Sequence, residues 1–392
     1  MDFDLSEEQQ LLKDSVERLL HDHYGFEDRR RYLGEKAGFS ERMWDRYAEL
    51  GLLALPFPEA HGGVGAGAIE TMIVMEAFGK ALLVEPYFAT VVLAGGVLRR
   101  AASESQKARL IPAIAQGRMK LALAYAEAGS RYDLFHVETR ATRDGEGWML
   151  NGAKSLVLHG DVADKLIVTA RSEGAHCDPQ GIGLYLVDGR AKGLTRRGYP
   201  TQNGLRAAEL VLDAVRVEAA DLIGEAANAS QVIARVADEA IAASCAEAVG
   251  CFAQMHALTL DYLKSRRQFG TTLGSFQVLQ HRAVDMFVEL EQSRSMALYA
   301  TMMVDAEEPI ARARAMSAAK RQICESSKLI AHQAIQLHGG NGMTMAYSVG
   351  HYFKHVTMID AMLGDAGHHL RRLAAMGGLE GEEADARIGS RT

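Results

Sequence analysis

Two short segments in the last third of the chain carry residue types suited to binding phosphate. In the first, Arg266 and Arg267 place two permanent cations next to Phe269 and Gly270. Guanidinium groups donate charge-assisted hydrogen bonds to phosphate oxygens, so this segment could hold a pyrophosphate while Phe269 covers an adenine or ribose face. The alternative is a solvated arginine pair that interacts with the dipole of a helix end. Taken alone, the segment favours this second interpretation.

The second segment, Gln-Leu-His-Gly-Gly-Asn-Gly, begins at Gln336. Gly339 and Gly340 would let the backbone approach a phosphate or ribose without a Cβ in the way, and the Gln336 amide can both donate and accept hydrogen bonds. A glycine after a long helix is also an ordinary helix end. The occurrence of both segments in one chain favours a nucleotide-binding role for the pair.

Composition limits the possible functions. The 392 residues include 43 Lys and Arg against 50 Asp and Glu, a net charge of −7, which argues against nucleic acid as a partner. The chain is 48% apolar and 24% charged, as expected for a globular protein of two or three structural units. Its four cysteines form no CxxC pair, so we predict no metal site and no disulfide framework, and a reducing, cytoplasmic setting. No apolar run reaches the ~18 residues of a membrane span, which predicts no membrane association.

The apolar spacing changes twice along the chain and predicts four segments. Residues 1–118 form an N-terminal helical domain, 119–225 a central antiparallel β-barrel or sandwich, 226–376 a C-terminal helical bundle and 377–392 a flexible tail. Ser6 and Gln9 have the spacing of a capping box at the first helix. The predicted buried faces comprise Leu11, Leu12, Val16, Leu19 and Leu20 in the first helix and Leu279, Ala283, Met286, Phe287 and Leu290 in a later one.

This order of segments resembles the flavin-dependent acyl-CoA dehydrogenase family along almost the whole chain. Glu49 to Gly65 is similar to the loop leaving that family's first bundle, and Lys107 to Gly117 to the helix entering its β-domain. The two phosphate-type segments are similar to cofactor-contacting segments of the family's C-terminal bundle. The resemblance implies an α+β fold with an N-terminal helical bundle, a central antiparallel β-domain and a C-terminal four-helix bundle.

The resemblance also implies an activity and its partners: α,β-dehydrogenation of an acyl-CoA thioester with FAD as cofactor and an electron-transfer flavoprotein as acceptor. In the family, the two C-terminal segments bind the adenine-diphosphate half of a neighbouring subunit's FAD, which implies a tetramer. The positions carried over as cofactor-binding are Glu127, Ser130, Leu156, Leu158, Arg266, Gln268, Phe269, Phe276, Gln277, Gln336, Leu337, Gly339 and Gly340.

The chain departs from the family where the catalytic base is expected. Leu363 stands where a Glu commonly precedes Gly, and Ala240 stands where some members place the Glu instead. Glu239 is rotated by about 100° from Ala240 on a helix, and Glu247 lies two turns further along. These two are the candidate bases, although helix carboxylates usually face solvent.

The flavin-contacting segment of the β-domain departs as well. Leu156 occupies the position of the family's stacking Trp, and Leu158 that of its Thr or Ser hydroxyl. Arg131 and Tyr132 crowd what is normally a phosphate loop of small residues. The site of the chain's own β-domain is therefore altered, whereas the segments lent to a neighbour are intact.

Three hypotheses remain open. The chain is a non-catalytic or half-site subunit that completes the FAD site of a second acyl-CoA dehydrogenase subunit in a heterotetramer, resembling the small subunit of pimeloyl-CoA dehydrogenase-type enzymes. Alternatively, it is a self-sufficient homotetrameric enzyme whose base is Glu239 or Glu247. The third hypothesis is a binding or scaffold protein that uses the altered pocket for an acyl-CoA.

Two histidine pairs carry weaker signals. His351 and His355 have the i, i+4 spacing of metal ligands, but without a third ligand they are predicted to be helix-surface residues. His368 and His369 precede two arginines and are predicted to lie at a solvated helix end.

Overall fold

The computed structural model describes residues 5–377, so all but the first residue of the predicted tail lies outside the described residues. The described chain divides into two compact units. Unit A comprises residues 5–26, 68–83 and 241–377, and unit B comprises residues 27–67 and 84–240. None of the described helices combines the length and apolarity needed to cross a bilayer.

Helices precede and follow a β-rich middle segment, as the sequence predicts. The capping box is confirmed, because Gln9 and Ser6 exchange both expected hydrogen bonds at the start of α1. The α-helices are α1 (Glu7–His23), α2 (Phe26–Leu33), α3 (Glu41–Glu49), α4 (Ala68–Ala81), α5 (Gly95–Ala101), α6 (Glu104–Ala115), α7 (Ser230–Ser265), α8 (Gln277–Met303), α9 (Pro309–His338), α10 (Val349–Ala361) and α11 (Ala366–Ala375).

The strands of the middle segment form one sheet in the order β6-β7-β3-β2-β4-β5-β8, with β1 paired to β4. A separate two-stranded hairpin joins β9 to β10. The strands are β1 (Leu121–Ala124), β2 (Arg140–Asp144), β3 (Gly147–Leu158), β4 (Lys165–Arg171), β5 (Ile182–Asp188), β6 (Leu194–Pro200), β7 (Arg206–Val217), β8 (Leu222–Ile223), β9 (Arg267–Gln268) and β10 (Thr271–Thr272).

The sheet is not purely antiparallel as predicted, because β4 pairs in parallel with β1 and, through Arg171 and Arg140, with β2. β1 runs parallel to β4, which is possible because the whole β2–β3 hairpin separates the two strands along the chain. β6 is an edge strand that pairs only with β7, and its polar, mostly exposed residues lack the alternating apolar pattern from which a strand is predicted.

Two residues of the predicted buried faces are exposed. Leu11 of α1 is 66% exposed and Phe287 of α8 is 48% exposed, whereas Val16 and Met286 are fully buried. Leu11 lies on the side of α1 opposite the buried stripe, and Phe287 lies about 80° from the centre of the buried stripe of α8. Apolar type alone therefore overestimates how wide a face each helix buries.

Within unit A, α4 and α7 cross at a distance that only glycine permits. A Cβ at Gly79 would lie 1.9 Å from the carbonyl oxygen of Glu247, and a Cβ at Gly250 would lie 1.9 Å from that of Glu76. Backbones this close leave no room for any side chain. The crossing fixes the stretch of α7 that carries Glu247.

Candidate functional site

The first predicted segment forms an exposed hairpin just after α7. β9 and β10 pair through Phe269 and Gly270, whose φ values are +55° and +80°. Two-residue hairpin turns of this kind require positive φ at both central residues. Gly270 adopts that conformation without cost, but Phe269 is a bulky residue in left-handed backbone and its side chain is 88% exposed.

The second predicted segment forms the end of α9. Gly339 has φ +57° and follows the last helical residue, His338, as expected of a helix-terminating glycine. A Cβ added at Gly270, Gly339 or Gly340 would meet no heavy atom within 4 Å. For Gly340, packing within the described chain therefore does not explain the choice of glycine.

Tyr262 joins the two segments at one end of the helices of unit A. Its ring lies 4.6 Å from that of His338, and its hydroxyl accepts a hydrogen bond of 3.2 Å from the Asn341 amide. Its carbonyl accepts a hydrogen bond of 2.8 Å from the backbone N–H of Arg266, the residue that leads into the hairpin. The structure thus brings together two segments about 70 residues apart in sequence.

The other predicted C-terminal positions differ in exposure. Gln268, Gln277 and Gln336 are exposed, and Phe276 lies edge-on to Phe269 with ring centroids 6.3 Å apart. Leu337 is only 4% exposed and belongs to the apolar core of unit A. The three glutamines provide amide donors, while Leu337 packs the end of α9 against the core.

In unit B, Glu127, one of the predicted cofactor-binding residues, lies in a hydrogen-bonded polar network inside the β-domain. Its Oε1 accepts hydrogen bonds from Lys154 Nζ at 2.6 Å and Thr139 Oγ1 at 2.7 Å, and its Oε2 accepts one from the Glu138 N–H at 2.7 Å. Burial disfavours the charged carboxylate, but the Lys154 ammonium and these hydrogen bonds outweigh it and lower the pKa of Glu127. Burial lowers the pKa of Lys154 to about 8, against the attraction of Glu127.

Ser130 closes the loop that begins at Glu127. Its hydroxyl donates a hydrogen bond of 2.9 Å to the Glu127 carbonyl and accepts one of 3.2 Å from the Glu127 N–H. Both side chains are therefore engaged inside the β-domain, and their role toward a cofactor stays a prediction.

Leu156 and Leu158 lie at an irregularity of β3. The pairing of β3 with β7 shifts between Lys154 and Val157, so Leu156 protrudes with φ +52° and is 43% exposed. Its N–H donates a hydrogen bond of 3.3 Å to Glu209 Oε1, whereas Leu158 resumes the ladder opposite Ala207. Such bulges redirect side chains. Neither leucine offers a polar side-chain group to a flavin ring.

Neither Leu363, at the usual position of the catalytic base, nor the candidate base Glu239 offers a free carboxylate. Leu363 has φ +56°, and its carbonyl oxygen lies 3.0 Å from Nε2 of the fully buried His369. Glu239 lies against three arginines: its Oε2 is 2.7 Å from a guanidinium nitrogen of Arg99, and its Oε1 contacts Arg100 and lies 3.8 Å from Nε of Arg235. Three cations around one largely buried carboxylate favour a structural ion-pair network over a proton acceptor.

Glu247 is buried and paired with a buried imidazole. Its Oε1 lies 2.8 Å from Nε2 of His355, a residue that is 1% exposed. His351 is also buried, with its Nε2 3.1 Å from the Met345 carbonyl oxygen. The predictions that His351, His355 and His369 face solvent are therefore wrong, because helix packing within unit A covers the side on which they lie.

Sequence analysis missed the partners that complete these pairs. Lys154 is 27 residues from Glu127 and lies in a strand, where a lysine ordinarily faces solvent. His355 is 108 residues from Glu247. The only signal available was the type of each residue, since nothing in a single sequence connects positions so far apart.

Comparison with known proteins identifies the family. The chain matches the acyl-CoA dehydrogenase N-terminal domain over residues 6–118, the middle domain over residues 122–215 and the C-terminal domain over residues 231–377. It is 32% identical over 354 residues to acyl-CoA dehydrogenase FadE12 of Mycobacterium tuberculosis, covering 88% of this chain and 89% of that protein.

Two solved assemblies are similar to the chain. A structure described as a variant of the Tcur3481-Tcur3483 steroid ACAD is 30% identical with a TM-score of 0.84, covering 94% of this chain and 97% of that one. The ChsE4-ChsE5 complex from Mycobacterium tuberculosis is 26% identical with a TM-score of 0.85, covering 96% and 98%. The chain described above therefore belongs to the acyl-CoA dehydrogenase family of oxidoreductases.

Proposed function

We propose that this chain is a half-site subunit of a heteromeric acyl-CoA dehydrogenase, which lends its C-terminal segments to the FAD site of a partner subunit and lacks a catalytic base of its own. The observation that carries the proposal is the conformation and exposure of Phe269 at the tip of the β9–β10 hairpin. Phe269 is strained and 88% exposed in the chain by itself. Strained backbone and exposed aromatic surface are typical of residues that contact a ligand or another chain.

The residues of this surface fit the nucleotide half of FAD. Arg266, Gln268 and Gln336 are exposed hydrogen-bond donors. The open space at Gly340 permits a bulky group to approach the backbone. When bound, FAD supplies the acceptor for a hydride from the acyl-CoA. The chain's own donors orient its phosphates, and Phe269 covers a ring face.

The missing base supports a partner-dependent role. Leucine at position 363 cannot accept a proton, and the Glu239 carboxylate is ion-paired with Arg99 and Arg100. The β-domain offers Leu156 and Leu158 where family members provide a stacking ring and a hydroxyl. A second subunit that carries these groups would perform the proton abstraction, and an electron-transfer flavoprotein would reoxidise the flavin.

An exposed apolar strip on α8 supports association with other subunits. Val284, Phe287 and Val288 recur at three- and four-residue spacing and are 57%, 48% and 46% exposed. Residues at this spacing lie on one side of a helix. A strip of this kind is suited to helix-to-helix contact in an oligomer. The two solved assemblies named above each carry two protein names, which agrees with a heteromeric arrangement.

The test is to purify the chain alone and after co-expression with an acyl-CoA dehydrogenase subunit that retains the Glu-Gly pair. We expect the chain alone to retain little FAD and to show at most about 1% of the turnover of the complex, which corresponds to about 2.7 kcal/mol of activation free energy. Arg266→Ala in the complex should lower FAD content, whereas the matched control Lys264→Ala, an exposed cation at the end of α7, should not. Full turnover by the isolated chain would overturn the proposal.

A self-sufficient enzyme remains the second candidate because Glu247 is a buried carboxylate with a buried imidazole 2.8 Å away. A His partner of this kind could receive the proton that Glu247 accepts. Under this alternative, Glu247→Gln would abolish turnover of the isolated chain while FAD content stays unchanged, and Glu239→Gln serves as the control. Binding of acyl-CoA without flavin or turnover would instead favour a scaffold protein.

A further inference from the structure

Three potential metal ligands converge on the surface of the β-domain. His136 precedes β2, and His176 and Cys177 lie in the loop between β4 and β5. One donor atom from each residue lies within 4.8 Å of the others, and the Cys177 sulfur is 3.5 Å from His136 Nδ1. Tetrahedral zinc bonds of about 2.0–2.3 Å separate neighbouring ligand atoms by about 3.3–3.8 Å, so small side-chain rotations would complete the site.

A buried arginine holds the two loops in position. Arg171 is fully buried and donates hydrogen bonds to carbonyl oxygens on both sides, among them Phe135 at 2.9 Å, His176 at 3.2 Å and Asp178 at 2.8 Å. The Val137 N–H also donates to the His176 carbonyl at 2.8 Å. The backbones that carry the three donors are therefore fixed relative to each other before any ion binds.

The surroundings match the usual support of a metal-bound histidine. Glu138 Oε1 lies 3.3 Å from His136 Nε2, whereas the Cys177 sulfur lies near the other ring nitrogen, Nδ1. A carboxylate at the second ring nitrogen orients a ligating imidazole and raises its basicity. A Cβ at Gly129 would lie 3.0 Å from His136 Nε2, so the loop that contains Glu127 and Ser130 borders this histidine directly.

We propose that His136, His176 and Cys177 form a binding site for a zinc-type divalent ion, with a fourth position open to water or another small ligand. Thiolate sulfur and imidazole nitrogen are both zinc ligands, and three protein ligands leave a coordination position free. Binding releases the Cys177 thiol proton to solvent and neutral histidines coordinate through their lone pairs. The ion would cross-link the two loops and stiffen the loop at Gly129.

The experiment uses Co²⁺ as a spectroscopic probe on the purified chain, without an affinity tag, after chelator treatment and with a phosphine reductant. We expect one equivalent of Co²⁺ to give visible d–d bands of tetrahedral strength and a near-ultraviolet thiolate-to-cobalt band, all removed by Zn²⁺. The thiolate band identifies the site, because the other three cysteines are buried. Cys177→Ser should abolish that band, and His136→Ala should weaken binding at least tenfold.

His332→Asn is the matched control, since His332 is an exposed histidine in unit A and should leave the titration unchanged. A measurement on the unaltered chain avoids dependence on the folding of any variant: one equivalent of Zn²⁺ should slow alkylation of Cys177 at least tenfold. Octahedral Co²⁺ spectra without a thiolate band, or unchanged alkylation at stoichiometric Zn²⁺, would overturn the proposal.

Discussion

Two regions of the molecule differ in how far packing within the chain explains their residues. One is the hydrogen-bonded network around Glu127 in unit B, and the other is the surface formed by Phe269 and Gly340 in unit A. Glu127 is 8% exposed, and each of its carboxylate oxygens accepts hydrogen bonds from groups of the same domain. Phe269 is 88% exposed, and no atom of the described chain approaches the Cβ position of Gly340. A residue whose type is accounted for by contacts within its own domain is a poor indicator of a binding partner. A residue whose type has no such explanation is a better one.

The largest effect is expected from breaking the closed network. Lys154→Met leaves the buried Glu127 carboxylate without its counter-charge, and removal of one partner of a buried ion pair costs about 3–5 kcal/mol. Urea unfolding followed by circular dichroism measures the loss. The double variant Glu127→Gln with Lys154→Met removes both charges and should recover part of it. Unchanged stability of Lys154→Met would contradict the network's structural role.

A second prediction uses the pH dependence of stability. Burial, with a smaller contribution from Arg206, lowers the pKa of His159 from 6.5 to about 3. The unfolded chain therefore takes up a proton as the pH falls below 6.5, while the folded chain does not until about pH 3. The free energy of unfolding should therefore decrease by about 1.4 kcal/mol for each pH unit that the pH is lowered across this window.

Burial likewise lowers the pKa of His369, to about 3, with Lys320 adding to the effect, so each unit contributes one such histidine. His159→Asn should remove the contribution of unit B and reduce the slope, with Asn tolerating the φ of +51° at this position. Unfolding midpoints measured at several pH values between about 7 and 4 check this. An unaltered slope would mean that His159 is protonated in the folded chain.

A smaller effect is expected at the bulge in β3. Left-handed backbone costs a residue such as Leu156 about 1–2 kcal/mol, and glycine avoids this cost but loses more entropy on folding. Leu156→Gly should therefore change the free energy of unfolding by about 1 kcal/mol or less, in the stabilising direction. Leu158→Gly, which has no positive φ, is the matched control and should destabilise. Clear destabilisation by Leu156→Gly would show that its side chain contributes packing.

The smallest effect on stability is expected at the open surface. Gly340→Ala adds a methyl group that meets no atom of the described chain, so the free energy of unfolding should change by less than about 0.5 kcal/mol. The same methyl group should lower the FAD content of the co-expressed complex. Gly367→Ala, an exposed position near the start of α11, is the control that should leave FAD content unchanged. If Gly340→Ala lowered the free energy of unfolding but left the FAD content of the complex unchanged, Gly340 would serve packing within the chain and not binding of a partner.

The sequence predicts local structure well where the signal is local. The capping box at Ser6 and the β-rich middle segment both follow from spacing and residue type over short stretches. The exposure of Leu11 in α1 and Phe287 in α8 was not predicted, because apolar type does not reveal which face of a helix a neighbour covers.

The chemistry of individual side chains was predicted less well for the same reason. Glu239 and Glu247 were expected to face solvent, yet Glu239 lies against three arginines and Glu247 against a buried histidine. The charge state and availability of a carboxylate depend on groups that fold next to it.

By itself, the sequence determined the order of helical and β segments, the resemblance to acyl-CoA dehydrogenases and the absence of a Glu at position 363, since these depend only on which residue stands where. Only the tertiary structure decided that Glu127 is paired with Lys154, that Phe269 is exposed and that His136 lies beside Cys177. Electrostatic and coordination energies fall steeply with distance, and distances between residues far apart in the chain exist only after folding.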